Sequence, residues 1–308
     1  MIERLGLSLG LFVGSLLAGW SLHQRGVMTQ RHATQLIRFT VKWLAPVTNC
    51  LSFWRLEIMG SQLLLLPLIG GAICVSTMLP AWGYARLAKL SKPQTGSFLT
   101  CAMFSNLGFL GVFVAFALGG EVAYGLATLY MVSFSPCFYA LGLTIARRYG
   151  RRPSEGASAV PVFSDELRLY PLLGLWLGLG LSLARIPRPM ICEAINHTLI
   201  PFSTACYLVA IGSQLHFEPP GRWLTSCLAM SAIKFWYSPL VAWGLVRLFH
   251  VEGLARSVVF LQASMPVAIS PLMLPLLFGL DRKFSSALFL FTTLLVIPWL
   301  LLYLPLIR

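Results

Sequence analysis

Hydrophobic residues run along this chain in long blocks separated by short polar breaks. Blocks of roughly 17 to 25 residues are long enough to cross a hydrocarbon core. They fall at 5–22, 33–54, 59–82, 95–118, 122–146, 168–185, 190–213, 223–247, 254–279 and 284–306. The pattern predicts an all-α integral membrane protein with ten transmembrane helices. The ninth block cannot be a regular helix, because it carries Pro266, Pro271 and Pro275. Each proline removes a backbone donor and clashes with the carbonyl four residues back. In hydrocarbon the freed groups must be answered by neighbouring helices or by water in a cavity, and membrane helices are characteristically broken at binding sites.

A second irregular stretch precedes the first by 160 positions, so that Gly119 falls on Gly279, Glu121 on Asp281, Ala127 on Ala287 and Asn106 on Pro266. The likeness recurs elsewhere. Leu9-Gly-Leu-Phe-Val-Gly14 in span one resembles Leu173-Gly-Leu-Trp-Leu-Gly178 in span six, and Pro46 in span two has a counterpart in Pro201 of span seven. Span one also has features of a cleaved signal peptide, with Arg4 before it and small residues near its end, but its likeness to span six argues for a retained helix. The repeated unit is five spans, an odd number, so the second copy enters from the opposite side and the repeats are inverted. The domain reading is a first repeat over 1–147, a linker over 148–166 and a second repeat over 167–308. Gly6, Gly10 and Gly14, with Gly174 and Gly178, form small-xxx-small ridges for close helix approach, either within the fold or between protomers.

Composition agrees with a membrane protein: 57% of the 308 residues are hydrophobic and 11% charged, with a mean hydropathy of +0.78. The net charge of +13 does not imply nucleic acid, because the basic residues sit in short loops. Lys and Arg in loops on the linker's side number twelve (Arg25, Arg31, Arg86, Lys89, Lys92, Arg147, Arg148, Arg151, Arg152, Arg222, Arg282, Lys283). Seven lie on the other side (Arg4, Arg55, Arg185, Arg188, Arg247, Arg256, Arg308). The excess predicts a cytoplasmic linker with both termini outside. The seven cysteines show no CxxC or metal spacing and read as small buried hydrophobes.

All ten acidic residues fall in loops or within a turn or so of a span end, so ion coupling, if present, uses other ligands than a mid-membrane carboxylate. Lys234 lies eleven residues into span eight, about 16 Å from its start and close to the midplane. In span two, Arg31, Gln35, Arg38, Lys42 and Asn49 recur at helical spacing as one polar stripe, of which Arg31 and Arg38 are placed to reach headgroups. Lys42 and Lys234 serve either structure or substrate charge. Asn106, beside Ser105, offers an amide either to a ligand or to the freed backbone of the break, and Gln262 and Ser264 stand near the break of span nine. The candidate substrate-binding set is Ser105, Asn106, Gly108, Gln262, Ser264, Pro266, Lys234, Lys42 and Asn49. The five histidines are isolated, and no metal, cofactor or catalytic motif is present. An enzyme is therefore not expected, and no repeated filter motif favours a channel.

At Ser105-Asn-Leu-Gly-Phe-Leu-Gly111, Gln262-Ala-Ser-Met-Pro-Val-Ala268 and Phe278-Gly-Leu-Asp281, the chain resembles the auxin efflux carrier family of membrane transporters. Ala45-Pro46, Pro201, Lys234 with Ser238-Pro239, and the short central loop also resemble its bacterial members. The resemblance implies ten helices in two inverted five-helix repeats, with a scaffold from spans one, two, six and seven. It also implies a transport domain from spans three to five and eight to ten, in which the broken spans four and nine cross. Small organic anions such as carboxylates would be moved by an elevator motion in the plasma membrane, often within a homodimer. One departure is that Gly111-Val-Phe113 lacks the family's usual proline, so span four is expected to be less sharply broken. The alternative function is a channel, or an ion-coupled transporter of a different solute.

Overall fold

The computed structural model describes residues 2–56, 61–151, 165–213 and 221–303. The linker's central part, with Ser154, Glu155 and Ser158, lies outside them, as do Glu57 and Glu218. In chain order the helices are α1 (Ile2–Gln24), α2 (Gln30–Phe39), α3 (Ala45–Arg55), α4 (Leu65–Ser76), α5 (Met78–Leu87), α6 (Lys92–Met103), α7 (Val112–Tyr130), α8 (Phe134–Cys137) and α9 (Leu143–Tyr149). They continue as α10 (Asp165–Leu183), α11 (Ile191–Gly212), α12 (Leu224–Ala232), α13 (Ser238–Leu248), α14 (Gly253–Ala263), α15 (Leu274–Phe278) and α16 (Arg282–Tyr303). Among the described residues there is no β-strand, and a single bridge pairs Ser105 with Val267. Among the described residues four helical stretches, Leu65–Leu87, Leu107–Tyr149, Ile191–Gly212 and Arg282–Leu300, are long and apolar enough to cross a membrane.

Prolines shape several of the joints. Pro46 has no N–H and its ring presses on the carbonyl of Lys42, and the turn Thr40–Leu44 widens to a π-helical one. The turn Ile233–Tyr237, which contains Lys234, does the same ahead of Pro239. A π turn adds a residue and so shifts the phase of everything beyond it by about 100°. The polar stripe of span two therefore divides: Arg31, Gln35, Arg38 and Lys42 are exposed, whereas Asn49 is buried. In α7 the interruption is at Gly119-Gly120, where Gly120 takes φ 65°, a backbone region that glycine enters without strain.

The chain forms two compact units, each drawing on both halves of the sequence. Unit 1 comprises Met1–Ser61, Gly108–Thr128 and Val160–Leu215. In it α1 packs on α11, and α3 on α10. The first helix of each half thus packs on the second of the other. Gly174 and Gly178 lie so close to α3 that a Cβ on either would strike the carbonyls of Pro46 and Cys50, whereas Gly10 and Gly14 face open space. On α1 it is Gly19, beyond Gly10 and Gly14, that is pressed against a neighbour, the Val209 carbonyl of α11.

Unit 2 comprises Gln62–Leu107, Leu129–Ala159 and His216–Arg308. Its core includes a stack of Tyr84, Phe98 and Phe284 and the edge-on packing of Phe104 against Phe134 and Phe138. α6 starts at a capping box, in which the Gln94 side chain accepts from the Ser91 N–H while Ser91 caps the third residue of the helix. Gln94 Nε2 also donates to Asp281 Oδ2 at 3.2 Å, and Ser97 Oγ to the Asp281 carbonyl at 3.1 Å. These bonds tie the end of span nine to the start of span four.

Candidate functional site

In unit 2 the two interrupted spans meet backbone to backbone. α14 ends at Ala263 with Ser264 as its C-cap, and Pro266 cannot continue it, so Pro266 to Ala268 run without helical bonds and their polar groups need partners. The first half of span four supplies them. The Asn106 N–H donates to the Pro266 carbonyl at 2.8 Å, and the Ala268 N–H donates to the Phe104 carbonyl at 2.8 Å. These reciprocal bonds flank the antiparallel pair Ser105 and Val267, so the pair's own amide groups point outward. The Val267 N–H is taken by Thr292 Oγ1 at 3.2 Å. Phe104 leaves the helix with φ −103° and ψ 114°. Span four is thus fully broken without a proline, against the expectation of a weaker break, because pairing with span nine replaces its helical bonds.

Breaking α6 at Met103 leaves its last carbonyls without helical donors. Lys234, fully buried on span eight, answers one of them: Nζ donates to the Ala102 carbonyl at 2.7 Å and to Ser105 Oγ at 2.8 Å. A cation at a helix C-terminus also complements the negative end of the helix dipole. An ammonium has three donors, and these bonds occupy two. Gln262, also fully buried, reaches the Leu107 carbonyl with Nε2 at 3.5 Å. Asn106 is buried, and its Nδ2 finds no hydrogen-bond partner among the described residues. No carboxylate is among these partners. The arrangement offers positive charge and amide donors in a dry setting, which is chemistry suited to an anion.

The candidate residues therefore separate. Ser105, Asn106, Lys234, Gln262 and Pro266 are brought together. Ser264 sits at the same break, but its hydroxyl turns back to the Phe260 carbonyl at 2.9 Å. Gly108 lies two residues beyond Asn106 along the chain, where unit 1 resumes. Lys42 and Asn49 belong to unit 1. There the Lys42 ammonium is 5.4 Å from the ring centres of both Trp43 and Tyr170. Asn49 is engaged at both polar atoms, donating to the Pro171 carbonyl at 3.0 Å and accepting from Tyr124 Oη at 3.3 Å.

Two groups escaped the sequence reading. Thr292 was not singled out, although its hydroxyl holds the break of span nine. Glu121 was placed near a span end, yet its side chain is fully buried in unit 1 and lies 2.7 Å from Arg188 Nη1 and 3.8 Å from Arg55 Nη1. Arg55 also pairs with Glu193 at 2.8 Å, and that hydrogen bond raises the pKa of its guanidinium above the ordinary value. The available signal was the match of Gly119 and Glu121 to Gly279 and Asp281. Asn196, near the start of its span, is also fully buried and donates to Ser52 Oγ at 2.9 Å.

Comparison with known proteins places this geometry in context. The family described as "Membrane transport protein" matches residues 8–151 and 161–304. An uncharacterized transporter of Methanothermobacter thermautotrophicus is 25% identical over 281 residues, covering 91% of each chain. An uncharacterized transporter of Methanocaldococcus jannaschii is 27% identical over 304 residues, covering 93% of this chain and 96% of its own.

Proposed function

Because the chain belongs to the auxin efflux carrier family of membrane transport proteins, we propose that it is a secondary transporter moving a small organic anion, a carboxylate, by elevator-type alternating access. The observation that carries this reading is the backbone crossing of spans four and nine beside a buried ammonium and a buried, unpaired amide. The substrate carboxylate accepts from Asn106 Nδ2 and lies near Lys234, with Ser105 and Gln262 completing its surroundings. Half-helix N-termini add unpaired N–H groups and positive dipole ends.

Spans three to five and eight to ten form the transport domain and carry the crossing as a body, while spans one, two, six and seven serve as the scaffold. The division of the chain into two units, each drawing on both halves of the sequence, supports an inverted repeat, with Gly108–Thr128 of spans four and five falling in unit 1. So does the exchange of first and second helices between halves in unit 1, as expected of ten spans in two inverted five-helix repeats. The protein acts as a carrier and catalyses no covalent chemistry. It resides in the plasma membrane with the central loop cytoplasmic and both termini outside, and it works as a homodimer.

Uptake of labelled mono- and dicarboxylates into proteoliposomes tests the proposal. Saturable uptake, accelerated by unlabelled carboxylate on the opposite side, is expected. Flux that rises without saturation would make the protein a channel, and saturable uptake of cations or sugars alone would overturn the anion reading.

A further inference from the structure

A second feature of unit 2 lies on the outer face of span eight, away from the crossing. Trp236, Leu240, Trp243, Phe260, Trp299 and Leu302 line an apolar groove of about 560 Å3. Trp236, Leu240 and Leu302 are largely exposed at 70%, 64% and 73%. Trp236 and Trp299 meet edge to face at 5.3 Å and form one end of the groove. At the other end stand two arginines, each within cation–π reach of an aromatic ring of the groove. Arg247 lies 4.1 Å from the Trp243 ring centre, and Arg256 lies 5.9 Å from that of Phe260.

The placement follows from helical spacing. Trp236, Leu240, Trp243 and Arg247 recur at intervals of four, three and four on one face of span eight, and Arg256 and Phe260 are four apart on α14. α13 and α14 pack together and are joined by the short loop at 249–252, so both arginines sit at the loop end. From Trp236 to Arg247 the helix rises about 16 Å over eleven residues. This matches half of a hydrocarbon core of about 30 Å. The groove thus spans one leaflet, from near the midplane, where Lys234 lies, to the headgroup level. His250 and Glu252 share the loop and are exposed. Two arginines against one carboxylate leave the rim cationic, and neither arginine is ion-paired among the described residues.

We propose that this groove binds an anionic phospholipid, with one acyl chain along the aromatic floor and the phosphate held between Arg247 and Arg256. Bilayer lipid is as apolar as the groove, so the chain alone confers little selectivity. Selectivity comes from the two guanidiniums, whose planar donors suit a phosphate. The cation–π contacts hold both guanidiniums at the groove mouth.

The test uses the full-length protein reconstituted with equal amounts of phosphatidylglycerol and phosphatidylcholine, followed by native mass spectrometry of lipid retained after mild detergent exchange. The wild type should retain phosphatidylglycerol over phosphatidylcholine by about tenfold to thirtyfold, the size expected of two basic groups near an anionic headgroup. Arg247→Gln/Arg256→Gln should abolish that preference without loss of folded protein, since both side chains are exposed. Arg86→Gln provides the control, because Arg86 stacks on Trp82 at 3.7 Å and takes no part in the groove. Equal retention of both lipids by the wild type would overturn the proposal. So would a double variant that keeps the preference, or an equal loss in Arg86→Gln.

Discussion

Replacing Asn106 by alanine should separate the stability of the crossing from its use. The bond that joins the two breaks is made by the Asn106 backbone N–H to the Pro266 carbonyl, and alanine keeps it. What alanine removes is a buried amide whose Nδ2 has no partner among the described residues. A buried polar group left unsatisfied costs about 1–3 kcal/mol, so its deletion relieves a penalty. The small void left behind offsets that gain. Thermal stability of Asn106→Ala in detergent should therefore equal that of the wild type or exceed it slightly. Binding should move the other way. A hydrogen bond to a charged ligand contributes roughly 1.5–3 kcal/mol, on the order of ten- to a hundredfold in affinity. Titration of carboxylates by thermal shift or calorimetry, with uptake into proteoliposomes, measures both effects. Affinity unchanged within about twofold would mean that the amide does not face the substrate. A collapse in folded yield would mean that it holds the break together.

Lys234→Met leaves the Ala102 carbonyl without its ammonium donor, at a cost of about 1–3 kcal/mol, partly offset by no longer burying a charge; uptake should fall sharply while size-exclusion profiles remain normal, and normal uptake would remove Lys234 from the transport reading. Glu121→Gln leaves Arg188 buried beside a neutral partner and should destabilise unit 1 by about 3 kcal/mol. A melting temperature equal to that of the wild type would show that the ion pair is not structural. Pro266→Ala restores a backbone donor while keeping the carbonyl that accepts from Asn106; substrate affinity should fall as span nine regularises, and unchanged affinity by titration would make the break a packing feature. Single cysteines at Ser154 and Ser158, in a background lacking the native seven, should resist an impermeant thiol reagent in intact cells, and labelling there would reverse the topology.

Membrane character and the break at Pro266 were legible in the sequence, because each depends on local properties. Hydropathy sums residue by residue, and a proline lacks its N–H whatever surrounds it. The tertiary structure decided the rest. Span four breaks at Phe104 to Asn106 without a proline because the unpaired groups of Pro266 and Ala268 draw its backbone out of the helix. Lys234 could have faced a substrate or a structural partner. Only the position of α6 shows that it takes a carbonyl which that break exposes. Asn49 shares a stripe with Lys42 in the sequence, but one π turn between them carries it inward to Pro171. The glycine ridges look alike in spans one and six, yet Gly174 and Gly178 are pressed against a neighbour within their unit whereas Gly10 and Gly14 are not. The physical reason is common to all four: a polar group or a flat helix face acquires its role from whatever backbone is left unpaired or within reach beside it, and that is settled only when the helices pack.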